Sequence, residues 1–286
     1  MPTACIFTLR PEVATTVSPG VSRAAHAAVL DLIGAADAAL AARVHADDRV
    51  KPLTVAPLGG LDGRGQPVAV SPAHAYDLRV TLLAPALEAL AEGWTPTSVP
   101  HIMLDGVTWR IERVTADEGA HPWARHATFG ALLDAALREA ARGAVGRWTL
   151  EFATPVTFRQ CGRNQPLPLP ELVFGSLLDR WNALAPLPLP DETRQFVHEG
   201  LVVSRFELRS AARPTKGGAL QIGALGRCTY TATGRDRYGL ACVEALARFA
   251  FYSGVGAGTA RGFGQTRLLP AQPTASQPSM CHASAV

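Results

Sequence analysis

Five glycines crowded into one short stretch near the C-terminal end constrain this chain more than any other feature. Ser253–Leu268 reads SGVGAGTARGFGQTRL, with Gly254, Gly256, Gly258, Gly262 and Gly264 alternating with small residues and Arg261 and Arg267 flanking the second cluster. Glycine admits φ > 0 and places no side-chain wall before the backbone, so such a run is suited to bringing N–H groups close to a ligand. The preceding segment, Gly239–Tyr252, carries Leu240, Val243, Leu246, Ala247 and Ala250 at helical spacing. The following one, Gln265–Leu269, is short and ends at Pro270 like a strand. The loop therefore leaves a helix C-terminus and enters a strand, the reverse of a Rossmann or P-loop glycine run. It contains neither GxGxxG nor a following Gly-Lys-Ser/Thr. Two uses stay open: backbone laid against a phosphate chain, or a plain surface connection.

Charge points to the first use. Residues 1–145 hold 12 Lys/Arg against 15 Asp/Glu, whereas residues 146–286 hold 15 against 9, so the half with the glycine loop is the basic one. A basic half fits a polyanionic ligand. Cys5, Cys161, Cys228, Cys242 and Cys281 are odd in number, scattered, and show no CxxC, as expected of reduced thiols in a cytoplasmic protein without zinc or disulfides. Met1–Arg10 lacks a signal-peptide pattern, and no apolar run approaches the length that crosses a bilayer.

Along the chain, residues 3–10 alternate as a first strand. Residues 22–44 place Ala25, Val29, Leu32, Ile33, Ala36, Leu40 and Val44 on one stripe, which predicts a single long helix with Ser22 as its N-cap. Strands are expected at 53–58 and 76–83, a short helix at 85–92, and a hairpin over 101–115 turning at Asp105-Gly106. A less regular link with a helical Phe129–Arg142 leads to a boundary at Gly143 and Gly146. The theme then repeats: strand 148–152, helix 172–184, strands 201–213 and 219–231 around Lys216-Gly217-Gly218, helix 239–252 and strand 265–269. The expected fold is α+β, two tandem ferredoxin-like (RRM-like, βαββαβ) domains over residues 1–145 and 146–270 with a C-terminal glycine-rich loop. The Pro/Ser/Ala-rich residues 271–286 read as a disordered tail.

Three stretches in this order resemble the CRISPR precursor-RNA processing endoribonucleases of the RAMP superfamily. They are the terminal SGVGAGTARGFGQTRL, the domain-opening LEFATPVTFRQ with PLPLPELVFGSLLDRWN (Leu150–Gln160, Pro166–Asn182), and VHADDRVKPLTVAPL (Val44–Leu58) at the exit of the first helix. The resemblance covers nearly all of residues 1–270. It implies two ferredoxin-like folds and metal-free cutting of CRISPR repeat RNA, with no cofactor. In that chemistry the 2′-hydroxyl beside the scissile bond attacks its own phosphate, leaving a 2′,3′-cyclic phosphate and a 5′-hydroxyl. One group must take the 2′-OH proton, another must protonate the departing 5′-oxygen, and a cation must stabilise the phosphorane. No Asp/Glu/His cluster with metal-ligand spacing appears in the sequence.

His45, six residues before Lys51, resembles the family's His and Lys pair; it is the acid–base candidate, with Lys51 as the cation. Taken by itself, a histidine at a helix C-terminus is a capping or solvated residue. Some members carry a tyrosine on the first helix, where this chain has Val29, Leu30 and Asp31; His26 is the alternative for that role. The glycine loop (Gly254, Gly256, Gly258, Gly262, Gly264), Arg261, Arg267 and Lys216, extended by Arg159 and Arg163, would line a basic groove for repeat RNA. Precursor CRISPR RNA is thus the expected partner. A CRISPR interference complex and a second copy of the chain are further partners the resemblance admits, and no membrane is implied. The competing readings are a non-catalytic RAMP subunit that holds guide RNA and a protein-interaction module on a duplicated fold.

Overall fold

The computed structural model describes residues 1–18, 21–46, 50–59, 61, 66–214 and 219–270. The expected tail, 271–286, and Lys216 lie outside the described residues. The N-terminal half runs β1 (Thr3–Pro11), β2 (Thr15–Val17), α1 (Val21–Ala36), α2 (Ala38–Ala46), β3 (Leu53–Val55), β4 (Val68–Val70), β5 (Tyr76–Leu82), α3 (Pro85–Ala91), β6 (His101–Leu104) and β7 (Val107–Thr115). Its sheet has the order β3-β5-β1-β7-β6, with Leu9 opposite Tyr76 and Thr3 opposite Leu82. After β8 (Arg125–His126) and α4 (Phe129–Ala141) come β9 (Arg147–Val156), β10 (Phe158–Gln160), β11 (Arg163–Gln165), α5 (Pro170–Leu184), α6 (Glu192–Gly200), β12 (Leu201–Pro214), β13 (Leu220–Ala232), α7 (Arg237–Ser253) and β14 (Thr266–Leu269). The second sheet has the order β12-β13-β9-β14. Leaving aside the small added strands, both sheets read second-third-first-fourth, the ferredoxin-like order, and the tandem arrangement stands.

Two cores follow from the two sheets. Phe7, Leu9, Val29, Ile33, Val80 and Trp109 meet in the first, and Trp148, Phe152, Phe174, Trp181, Tyr230 and Phe249 in the second. The helix α4, N-capped by Thr128, precedes the expected boundary, yet its Phe129 packs edge-on against Trp181 at 5.2 Å and near Phe249 at 5.4 Å, inside the second core.

The single long helix expected over 22–44 is in fact two. Asp37 interrupts it: its carboxylate accepts from the Leu40 amide at 2.8 Å and its carbonyl from the Ala41 amide at 3.0 Å, so it caps α2 while α1 ends behind it. Nor is Ser22 an N-cap. The helix begins at Val21, whose amide donates to Ser18 O at 3.2 Å, and Ser22 is buried in the first turn with Oγ lacking a hydrogen-bond partner. The helix α6 was not expected from sequence. No helix among the described residues is long and apolar enough to cross a membrane.

Candidate active site

Helix α7 brings the glycine loop to the junction between the domains. It opens with Asp236 accepting from the amides of Tyr238 and Gly239, and it is buried on nearly every side because it packs between the two cores. A helix end leaves four carbonyls unpaired, and here each finds a partner. Ala250 O accepts from the Gly254 amide at 3.0 Å and Phe251 O from Arg79 Nη2 at 2.5 Å. Tyr252 O receives Thr54 Oγ1 at 3.5 Å, and Ser253 O receives Arg180 Nη1. Arg79 and Thr54 come from the first domain and Arg180 from the second, so the end of α7 is held by both.

From Gly254 onward the loop turns through five glycines at positive φ, between 63° and 86°. At Gly254, Gly256 and Gly264 an added Cβ would meet backbone, and at Gly262 a neighbouring side chain. A Cβ at Gly256 would overlap Thr157 O, one at Gly264 would overlap Val255 O, and one at Gly262 would lie 2.9 Å from Ser22 Cβ. The amides expected to face a ligand are engaged inside the protein. Gly256 donates to Ser176 Oγ (3.2 Å), Ala257 to Thr157 O (2.7 Å), Gly262 to Val55 O (2.9 Å) and Gly264 to Pro155 O (2.9 Å). Gly258 opens a single 3-10 turn, Thr259–Arg261, whose Ala260 is buried in the first domain's core. What this loop offers outward is the side chain of Arg261, which is exposed.

Arg261 arrives where the other candidates stand. His26, on the α1 face one turn after Ser22, is half-buried, and its Nδ1 has no partner. Burial first, then the charges of Lys51, Arg261 and His45, push its imidazole down to about 4, so it is neutral at pH 7. His45 is exposed in the last turn of α2. Lys51 folds back on the same helix end, its Nζ donating to Val44 O at 3.0 Å and His45 O at 2.6 Å. An ammonium has three donors and complements the negative end of a helix, so one N–H remains for a ligand. The structure therefore joins the expected His26, His45 and Lys51 to Arg261, which the sequence had grouped with the groove. Among the described residues no three His, Cys, Asp or Glu come together as metal ligands.

The remaining basic candidates lie apart. Arg267 is paired with Glu151 at 2.6 Å and its guanidinium sits 4.9 Å from the Trp123 ring centre; Glu151 also binds Arg227 at 3.2 Å. Arg159 and Arg163 are exposed on the β10–β11 hairpin, which turns at Cys161 and Gly162, both at positive φ, and which begins one residue after Thr157. Sequence reasoning missed Ser22 as a site neighbour and missed Arg79 and Arg180 altogether. The signal for the two arginines was present: Arg79 interrupts the strand-like YDLRVTL, and Arg180 falls three residues after Leu177 and seven after Val173 on the apolar stripe of α5.

Comparison with known proteins agrees with this architecture. A family model described as CRISPR-associated endoribonuclease Cas6 matches residues 150–266. CRISPR-associated endoribonuclease Cas6 of Mycobacterium tuberculosis, in two strains, is 32% identical over 134 residues; the matched stretch is 46% of this chain and spans less than half, 42%, of those relatives. Likeness of structure extends further. A Cas6 in a product complex superposes with a TM-score of 0.76 at 28% identity, covering 94% of this chain and 99% of that one. Thermus thermophilus Cas6 gives 0.71 at 28% identity, covering 94% and 98%. A Cas6 in complex with a substrate mimic gives 0.70 at 27% identity, covering 94% and 99%. By sequence over residues 150–266 and by fold over nearly its whole length, the chain is similar to the CRISPR-associated endoribonucleases called Cas6.

Proposed function

We propose that this protein is a metal-independent endoribonuclease that cuts CRISPR repeat RNA in precursor transcripts and so yields guide RNA. The observation that carries the reading is the meeting of His26, His45, Lys51 and Arg261 at one corner of the domain junction, two imidazoles beside two cationic side chains. The solved relatives in product and substrate-mimic complexes, and one with a histidine-to-alanine change, support it by analogy.

In this mechanism the RNA 2′-oxygen bonds to the adjacent phosphorus as the bond from phosphorus to the 5′-oxygen breaks. His26, held neutral by desolvation and by its cationic neighbours, accepts the 2′-OH proton. His45, on the solvent side, donates a proton to the 5′-oxygen. Lys51 and Arg261 face the extra negative charge of the phosphorane, where fixed donors act most strongly. The products are a 2′,3′-cyclic phosphate and a 5′-hydroxyl, and DNA, lacking the 2′-OH, is inert.

The test is single-turnover cleavage of cognate repeat RNA in excess EDTA, beside a substrate 2′-deoxy at the nucleotide before the cut. Wild type is expected to cut only the ribose substrate. His45→Ala and His26→Ala are each expected to slow the step by about 10²- to 10⁴-fold while RNA affinity stays within a few-fold. Tight binding without cleavage would make the protein a guide-holding subunit, and full activity of His26→Ala would move the base elsewhere.

A further inference from the structure

The glycine loop is gripped from below by two residues one turn apart on α5. Ser176 Oγ accepts from the Gly256 amide at 3.2 Å, and Arg180 Nη2 donates to the Gly256 carbonyl at 2.5 Å, so both sides of that glycine are held. Arg180 Nη1 also donates to Ser253 O and, at 2.8 Å, to Thr259 Oγ1. These acceptors come from three places: the end of α7, the first glycine turn, and Thr259, the first residue of the 3-10 turn. The neighbouring carboxylate, Asp179, is bound instead by Arg194. Arg180 thus spends its charge on neutral acceptors, and burial pulls its guanidinium down to about 10. Taking a cation out of water for carbonyls and a hydroxyl is costly, and a hydrophobic residue of similar volume often does better for stability alone. What an arginine adds is a planar fork with several donors at fixed angles.

We propose that Arg180 is a positioning residue for Arg261, fixing the loop so that the Thr259–Arg261 turn delivers its guanidinium beside His26. The inference rests on the proposed role of Arg261. On the first-domain side the turn is fastened by Gly262 to Val55 O and by its contact with Ser22. On the second-domain side Thr259 depends on Arg180. Without the fork, two carbonyls and a hydroxyl lose their donor and the turn is free to shift, and a displacement of about 1 Å at a catalytic group costs on the order of 10²-fold in rate.

The experiment compares Arg180→Lys, Thr259→Val and Arg261→Gln with wild type, by single-turnover cleavage, by RNA affinity, and by NMR titration of His26. Arg180→Lys is expected to slow cleavage by about 10- to 100-fold with RNA affinity changed less than about 3-fold. Combined with Arg261→Gln it should slow the reaction little more than Arg261→Gln alone, because both changes remove the same cation from the site. Thr259→Val, which keeps the arginine and removes one acceptor, is expected to lower the rate by about 3- to 10-fold with the same lack of additivity, and it serves if Arg180→Lys does not fold. The His26 titration reads the geometry without RNA: its midpoint should rise in Arg261→Gln, and in the same direction by a smaller amount in Arg180→Lys and smaller still in Thr259→Val. Fully additive losses, or a His26 midpoint that moves only in Arg261→Gln, would overturn the positioning role. If wild type fails to cut RNA while His26 shifts in the same direction in these variants, the functional reading falls and the positioning of Arg261 stands.

Discussion

The two domains share a strand order and even a detail of it: in each, the first crossover is broken into two helices, α1–α2 in one and α5–α6 in the other. They use that pair in opposite ways. The first domain turns reactive groups outward, with His26 half-buried, His45 exposed and Lys51 folded over the helix end. The second ties its outer charges together, Arg194 to Asp179, and sends Arg180 inward to hold a loop. The second crossovers differ as strongly. α3 has 7 residues and α7 has 17, because α7 lies between both cores while α3 serves one. In the proposed reading the two copies of the scaffold divide the work, with chemistry on one and support on the other. The candidate site forms only where they meet, since Arg261 belongs to the second domain and its neighbours to the first.

The support half of that comparison is easiest to break at the glycines. Gly264 and Gly106 have nearly the same φ, 69° and 75°, but a Cβ at Gly264 would overlap Val255 O whereas one at Gly106, in the β6–β7 turn, meets nothing within 4 Å. Gly264→Ala is expected to cost about 3 kcal/mol or more, conformational strain plus a backbone collision, and Gly106→Ala only about 1 kcal/mol. Urea unfolding of the two variants checks the difference. Equal losses would mean that left-handed backbone alone, and not packing of the loop, demands the glycines.

A smaller effect is expected at the joint between the domains. Arg79 donates from β5 to Phe251 O and, at 3.0 Å, to Trp123 O, lies 4.7 Å from the Phe251 ring centre, and is pulled down to about 9 by burial. Arg79→Met keeps the volume but leaves one buried and one part-buried carbonyl without this donor, at about 1–3 kcal/mol. Hydrogen exchange should show the loosening at the end of α7 and in the linker around Trp123, with the centre of the first sheet protected as before. Exchange that rises evenly through the first domain would make Arg79 a core residue of that domain and not a tie between the two.

Much of this was legible in the chain. Alternation and helical stripes in order gave both βαββαβ units, and the resemblance to a known family marked His45 and Lys51 as a candidate pair. The failures have physical causes. The stripe from Ala25 to Val44 runs unbroken through Asp37, so nothing apolar announced the break that its carboxylate makes at Leu40. α6 buries only Thr193 and Val197, too few positions to register as a stripe. The glycine run was conspicuous, but what each glycine must avoid comes from residues far away in sequence, Thr157 and Ser22. For the same reason Arg261 read as part of a groove. Its company with His26 depends on the turn being fastened to Val55, a contact that no local pattern encodes.

The chemistry half of the comparison is sharpened by acid. His26 titrates near 4 in the folded protein and near 6.5 when unfolded, because burial and the neighbouring cations disfavour its charged form. Between those values the unfolded chain binds a proton that the folded chain refuses. The stability His26 contributes is therefore complete above pH 6.5 and is lost as the pH falls toward 4. His26→Gln has no such proton to bind, so wild type should lose more stability than the variant between pH 7 and pH 5, by about 1 kcal/mol once solvent access to the ring is allowed for. Urea midpoints at the two pH values measure it, and subtracting the variant removes every other titrating group. Arg261→Gln should narrow the gap by raising the folded midpoint, whereas Arg267→Gln should not, since Arg267 is committed to Glu151. If wild type and His26→Gln weakened in parallel, the imidazole would be taking up its proton as freely in the folded protein as in water. The corner of the first domain would then lack the desolvated, cation-lined character that sets it apart from the second.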